Sequence, residues 1–415
     1  MIIIKYIQGS VIFMEIKKSN SKLVPILISL PAIGLGLAWN MNSTVVPLLV
    51  ALVTKSSFLL GILVAMASVT GIFAPYISGI LSDRVGKRKP FVLIGSLAGA
   101  IFLFLLGFSS FYFEMFIFAF LFYLSMNFYQ GAYYAWVPEA VEKNEIGLAT
   151  GFRTAFYFIG GIIVFGIGVI LFNMNPALPL IVSAVVVIVT NIITVVNVKE
   201  DSSRLVKSTS KLSFDFIKNK SAMKVFMTAF FLYLSYGFIM PYWIRYYEKM
   251  NGFTSNEIST ALVGMTLMGL IFSIFIGKLC DRYNKQLILF LTCIVWLIGF
   301  IVGAFVMNIS MLWAFTLIFG LACAMFSVVF YALIPAVAPK ERLGEYMGIN
   351  NIFLCIPQII GNLVAGELIT NNAFLIFPCC IVFIIIAMLI CVIGKMKLND
   401  DSSVIESKPD KAKVA

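Results

Sequence analysis

Residues 134–151 read YAWVPEAVEKNEIGLATG, and residues 331–348 read YALIPAVAPKERLGEYMG. A constant offset of 197 positions matches Tyr134 to Tyr331, Ala135 to Ala332, Pro138 to Pro335, Gly147 to Gly344 and Gly151 to Gly348. A second pair, GILSDRVGKRK at 79–89 and IGKLCDRYNKQ at 276–286, matches Asp83 to Asp281 and Arg84 to Arg282 at an offset of 198. Agreement at two separated places with nearly one offset marks a duplicated unit. The chain is therefore two copies of one half.

What each half is made of follows from composition. The 415 residues are 61% hydrophobic and 12% charged, where soluble proteins run at roughly 45–50% and 25%. Too little polar surface remains to cover a water-soluble globule. A helix crosses the hydrocarbon core with about 20 apolar residues, and that length predicts twelve spans. In the first half they are 23–52, 58–81, 90–109, 112–137, 148–172 and 177–198. In the second they are 223–247, 257–279, 287–307, 311–335, 346–370 and 373–394. The polar break KEDSSRLVKSTSKLSFDFIKNK predicts a linker over 199–222 between bundles at 23–198 and 223–394, with tails at 1–22 and 395–415. The expected fold is an all-α membrane protein of twelve transmembrane helices in two pseudo-symmetric six-helix bundles.

Charge placement orients the chain, because Lys and Arg are retained on the cytoplasmic side. Of the 30 Lys and Arg, 26 fall in the two tails and in alternate loops, including Arg84, Lys87, Arg88, Lys89, Arg282 and Arg342. The opposite loops hold Lys55, Arg245 and Lys249, while Arg153 begins the fifth span. Both termini are expected in the cytosol, with the protein in the cell membrane. The net charge of +11 then reads as topology plus attraction to anionic lipid, and nucleic acid is not an expected partner. Acidic and basic residues interrupt MIIIKYIQGSVIFMEIKKSNSK, unlike a signal peptide. Met14 is as good a start as Met1.

Several chemistries are excluded. The chain has no histidine, so it carries neither a Ser-His-Asp triad nor an H-E-x-x-H zinc site. The seven cysteines, Cys280, Cys293, Cys323, Cys355, Cys379, Cys380 and Cys391, form no C-x-x-C pair and sit mostly in apolar runs. No cofactor, metal or enzymatic activity is expected.

The stretch from Gly79 to Lys89 carries more than positive charge: Gly79 and Gly86 permit close packing and a tight turn, and Asp83 suits a helix N-terminus or a basic partner. It resembles the signature loop of the major facilitator superfamily, G-x-L-[SA]-D-R-x-G-[RK]-[RK]. The resemblance implies two bundles rocking about a midplane site, with Asp83 and Arg84, alongside Gly79, Gly86 and Arg88, stabilising one access state. The second copy offers Asp281 and Arg282, with Asn284 where the second glycine belongs. GKRKPFVLIG at 86–95 and GEYMGINNIFLCIPQII at 344–360 are similar to segments of plant-type sucrose carriers and bacterial maltose/sucrose relatives, allied to glycoside–pentoside–hexuronide symporters. That group's fourth helix ends R-A-L-x-x-D, whereas here Tyr134 and Glu139 occupy those places.

Polar residues inside the spans are the candidate substrate contacts. Trp39, Asn40, Asn42, Ser43 and Thr44 cluster in the first span between Pro31 and Pro47. An amide in hydrocarbon costs several kcal/mol unless satisfied, so these face the interior. They suit a sugar ring, which needs hydroxyl partners and an aromatic face, and they equally suit interhelical hydrogen bonding. Asn127, Gln130 and Tyr134 form one stripe of the fourth span; Tyr236, Tyr331, Asn351 and Gln358 are further candidates. Glu139 and Arg153, fourteen positions apart, are expected to meet, either as a proton-coupling gate or as a structural loop pair. The fifth span, with Gly160, Gly161, Gly166 and Gly168, lacks the Gly-Pro of superfamily antiporters. The expected function is alternating-access movement of a small solute, a di- or oligosaccharide or glycoside with a proton, by a monomer; a facilitator or exporter of another amphipathic molecule is the alternative.

Overall fold

The computed structural model describes residues 23–54, 57–200, 215–394 and 396–398. The expected contents of residues 1–22, Lys55, most of the linker and most of the C-terminal tail lie outside them. Among the described residues, twelve helices are long and apolar enough to cross a membrane. They are α1 (Val24–Ala51), α2 (Ile62–Val85), α3 (Lys89–Leu106), α4 (Tyr112–Ala140), α5 (Lys143–Met174) and α6 (Leu178–Asn197) in the first half. The second half holds α7 (Lys220–Ile239), α8 (Thr260–Arg282), α9 (Lys285–Ala304), α10 (Ile309–Val337), α11 (Lys340–Ile369) and α12 (Ala373–Val392). Lipid offers the backbone no hydrogen bonds, so each span closes its own ladder as a helix. Large side chains such as Ile94, Phe113, Val196 and Leu363 point outward, as lipid-facing surface requires.

Polar residues punctuate the spans. Asn219, Asn284 and Asn308 accept from backbone N–H groups at the starts of α7, α9 and α10, satisfying donors that a helix start leaves open. Gly86, at φ 66°, makes the turn from α2 into α3 that a side chain would strain. The Glu200 carboxylate accepts from the N–H groups of Arg88 and Lys89, so the chain leaving α6 closes the start of α3.

Two spans are less continuous than the hydropathy implies. The helix of α1 breaks at Thr44 (φ −123°, ψ −66°), between Pro31–Ser43 and Val45–Ala51. The seventh span, expected as one rod over 223–247, breaks at Met240–Tyr242 and continues as Trp243–Asn251. Pro241 lacks an N–H and disrupts the ladder there. Thr44 and Pro241 are themselves 197 positions apart, so the duplication has kept the break while changing the residue that makes it.

The halves have separate apolar cores and meet along two seams, α2 on α11 and α5 on α8. Backbones touch at both. A Cβ on Gly79 would lie 2.0 Å from the Gly344 carbonyl oxygen, and one on Gly147 would lie 2.3 Å from that of Gly277. These four glycines are two pairs exchanged by the duplication, so the same contact is built twice. Both contacts lie at the end of the bundle carrying the basic loops, called here the basic end. Replacing Gly147 with valine should wedge this end apart. Cys280, 1% exposed beside Gly147, should then react with a membrane-impermeant maleimide, scored by peptide mass spectrometry. Unchanged protection of Cys280 would contradict the packing.

Candidate functional site

At the basic end each half places a carboxylate on the start of a helix from the other half. Asp83, ending α2, accepts from the N–H groups of Gly344 (3.0 Å) and Glu345 (2.9 Å) in the first turn of α11. Asp281, ending α8, accepts from those of Gly147 (2.6 Å) and Leu148 (2.7 Å) at the start of α5. A helix start carries unsatisfied donors and about half a positive charge. Each carboxylate–helix contact contributes roughly 0.3–1 kcal/mol at the surface and up to ~2 where partly buried. Asn284 does not spoil the second copy: its side chain caps α9, leaving Asp281 to make the same contact as Asp83.

The two caps differ in their surroundings. Arg88 donates to Asp83 (2.6 Å), to both oxygens of Glu139 (2.9 and 2.6 Å) and to Ser82 (2.5 Å). Its side chain is 1% exposed and that of Glu139 11%. Glu139 therefore pairs with Arg88 and forms no ion pair with Arg153 among the described residues, correcting the expected match. Neighbours in sequence misled here: the end of α4 lies against the start of α3, and α5 turns its arginine deeper. Arg84 and Arg282, given gating roles by resemblance, are exposed, and the guanidinium meeting Asp83 belongs to Arg88. Gln286 stands at the position equivalent to Arg88 and instead donates to the carbonyls of Cys391 and Gly394.

Deeper in the bundle, several candidate amides are already engaged. Asn127 donates to Thr70 (2.9 Å) and to the Ala67 carbonyl (3.1 Å) on α2. Asn351 crosses the halves to the Gly71 carbonyl at 2.6 Å. Asn40 donates to Gly36 O and Thr44 to Asn40 O within α1. Trp39 donates to Gln130 (3.0 Å) and stacks on Tyr123 with rings 6.2 Å apart, while Tyr123 donates to Asn42. Gln358 is half-buried, with its backbone against Gly237. Trp243 is core, stacked on Phe315. Side chains of Ser43 and Arg245 lie outside the described set. No cluster of three or more metal-ligating side chains occurs among the described residues.

The remaining candidates converge. Tyr134 of α4 and Tyr331 of α10 meet edge to face, rings 4.6 Å apart. Residues exchanged by the duplication can touch only beside the axis relating the halves, so this pair marks that axis. Arg153 lies against both rings, 4.4 and 4.1 Å from their centres, and donates to the Ser327 carbonyl of α10 at 3.3 Å. It is 5% exposed. Burying a charge has an effective cost of several kcal/mol, which two ring contacts at about 0.5–2 kcal/mol each offset only in part. Tyr236, stacked on Tyr233, and Tyr157 approach from the two halves. Tyr157, Tyr233 and Ser327 were missed by sequence reasoning; the helical spacing of Tyr157 from Arg153 and of Ser327 from Tyr331 was the available signal.

A family model of the Major Facilitator Superfamily matches residues 29–249 and again 225–413. The chain belongs to the major facilitator superfamily. An uncharacterized transporter of this superfamily from Methanocaldococcus jannaschii is 29% identical over 149 residues, spanning 36% of this chain and 38% of that protein. The crystal structure of the superfamily transporter FucP in the outward conformation superposes with a TM-score of 0.71 at 17% identity, over 90% of this chain and 99% of that one. The human organic anion transporter MFSD10 superposes at 0.70 and 12% identity, over 90% of this chain and all of the other. Both likenesses establish the superfamily fold, and the chain is a multi-pass membrane protein.

Removing Arg88 from this superfamily member should be costly, because Asp83 and Glu139 would remain buried without their cation. Arg88→Gln should lower stability by about 3–5 kcal/mol, read as a fall in the thermal midpoint of the detergent-purified protein. Adding Glu139→Gln should recover much of the loss. A midpoint unchanged by Arg88→Gln would refute the network.

Proposed function

We propose that this chain is a secondary transporter that carries a small solute, a di- or oligosaccharide or glycoside together with a proton, across the cell membrane by alternating access. The observation that carries the reading is the placement of the contacts between halves. The reciprocal caps, the Arg153–Ser327 bond and the Asn351–Gly71 bond all lie between the basic end and mid-span. With the basic end cytosolic, as the charge bias implies, this arrangement is an outward-facing state. The halves would then exchange access by parting the caps and closing the outer segments of α1 and α7 at their matched breaks.

Trp39, Gln130 and the tyrosines near Tyr134 supply the aromatic faces and polar edges a sugar ring uses. Coupling is assigned to Glu139, because its carboxylate belongs to a lock that opens in every cycle. Facilitated movement is the second reading, favoured by the firm pairing of Glu139 with Arg88.

Liposomes reconstituted with the protein should accumulate labelled maltose or sucrose when acidic outside, and Glu139→Gln should reduce transport to equilibration. Uptake indifferent to the gradient would favour the facilitator. No flux of either sugar would overturn the saccharide reading.

A further inference from the structure

We propose that the solute is an organic anion whose acidic group is held by Arg153 on the axis between the halves; this deepens the transport reading and rests on it. Three observations converge. First, Arg153 is nine-tenths buried and forms no ion pair with any acidic side chain among the described residues. Its surroundings are all neutral: the rings of Tyr134 and Tyr331, the Tyr134 hydroxyl and the Ser327 carbonyl. A buried cation ordinarily has a counter-charge, and Glu139, the acid expected to meet it, faces Arg88 instead.

Second, the present partners are weak and temporary. Charge-assisted N–H···O bonds run near 2.7–2.9 Å, whereas Arg153 to Ser327 is 3.3 Å. Ser327 and Tyr331 belong to α10, in the opposite half. Parting the halves at the basic end must pull them from Arg153, exposing a bare guanidinium on the path. A travelling oxyanion would supply the acceptor lost at that step.

Third, the donors at this place suit an oxyanion. The planar fork of arginine matches a carboxylate with two parallel bonds, and the hydroxyls of Tyr134, Tyr157 and Tyr331 are further donors within electrostatic reach of Arg153. The Gln130 oxygen already accepts from Trp39. A carboxylate meets both the charge and the paired donors of the fork, and a neutral polyol leaves the charge unmet.

The test titrates detergent-purified full-length protein with matched pairs, maltose against maltobionate and glucose against glucuronate, with lactate as an acid lacking a sugar ring, and reads thermal stabilisation. The acidic members should bind at least tenfold more tightly than their neutral partners. Arg153→Gln should abolish that preference, and Arg153→Lys, keeping charge but losing the fork, should retain part of it. Should Arg153→Gln fail to fold, the lysine variant and the wild-type pair comparison still decide. Equal affinity for acid and neutral members, or an acid preference surviving Arg153→Gln, overturns the anion proposal and leaves saccharide transport standing. Arg153-dependent binding of lactate without either sugar acid supports the anion and sinks the saccharide body. Stabilisation by none of the five overturns both.

Discussion

A carboxylate set against the exposed N–H groups of a helix from the opposite half is the contact on which the observed state depends. It occurs twice, through Asp83 on α11 and Asp281 on α5. Each favours this arrangement by up to about 2 kcal/mol, the contribution of a helix-start contact. Glycine makes it reachable: side chains at Gly79, Gly147, Gly277 or Gly344 would hold the backbones apart before the carboxylates arrived. The locks are equal in geometry and unequal in support, because Arg88 and Glu139 have no equivalents in the second half, where Gln286 and Ala336 stand.

Charge is distributed with a purpose that the bilayer enforces. Ionisable groups gather at the basic end, where Arg88 bridges Asp83 and Glu139 as one cation between two carboxylates. Arg153 departs from that order by lying on the axis, flanked by aromatic rings from both halves. Ionisable groups at membrane depth are candidates for function, and this one sits where the two halves meet.

The architecture was legible because a bilayer leaves the chain few options: length and apolarity define a span. The repeat was legible because Tyr134, Pro138 and Gly147 still match Tyr331, Pro335 and Gly344. Partners across the halves were not, since no local pattern announces that Asp83 faces a helix 261 positions away. Nearness in sequence joined Glu139 to Arg153, while the fold delivered Glu139 to Arg88. Asn127 looked available in its stripe, and its amide nitrogen donates to Thr70. Both breaks could be anticipated from proline chemistry: Pro241 lies in its break, and Pro47 has no N–H to give the Ser43 carbonyl, where the first helix segment ends.

Spin-label distances across the basic end test the reciprocal caps most directly. Nitroxides at Lys143 and Lys340, both exposed and on opposite halves, are measured after the native cysteines are replaced by alanine. The parent should show a dominant short distance, and the paired substitutions Asp83→Asn and Asp281→Asn should move the population to longer ones. An identical distance distribution in parent and double variant would contradict the account.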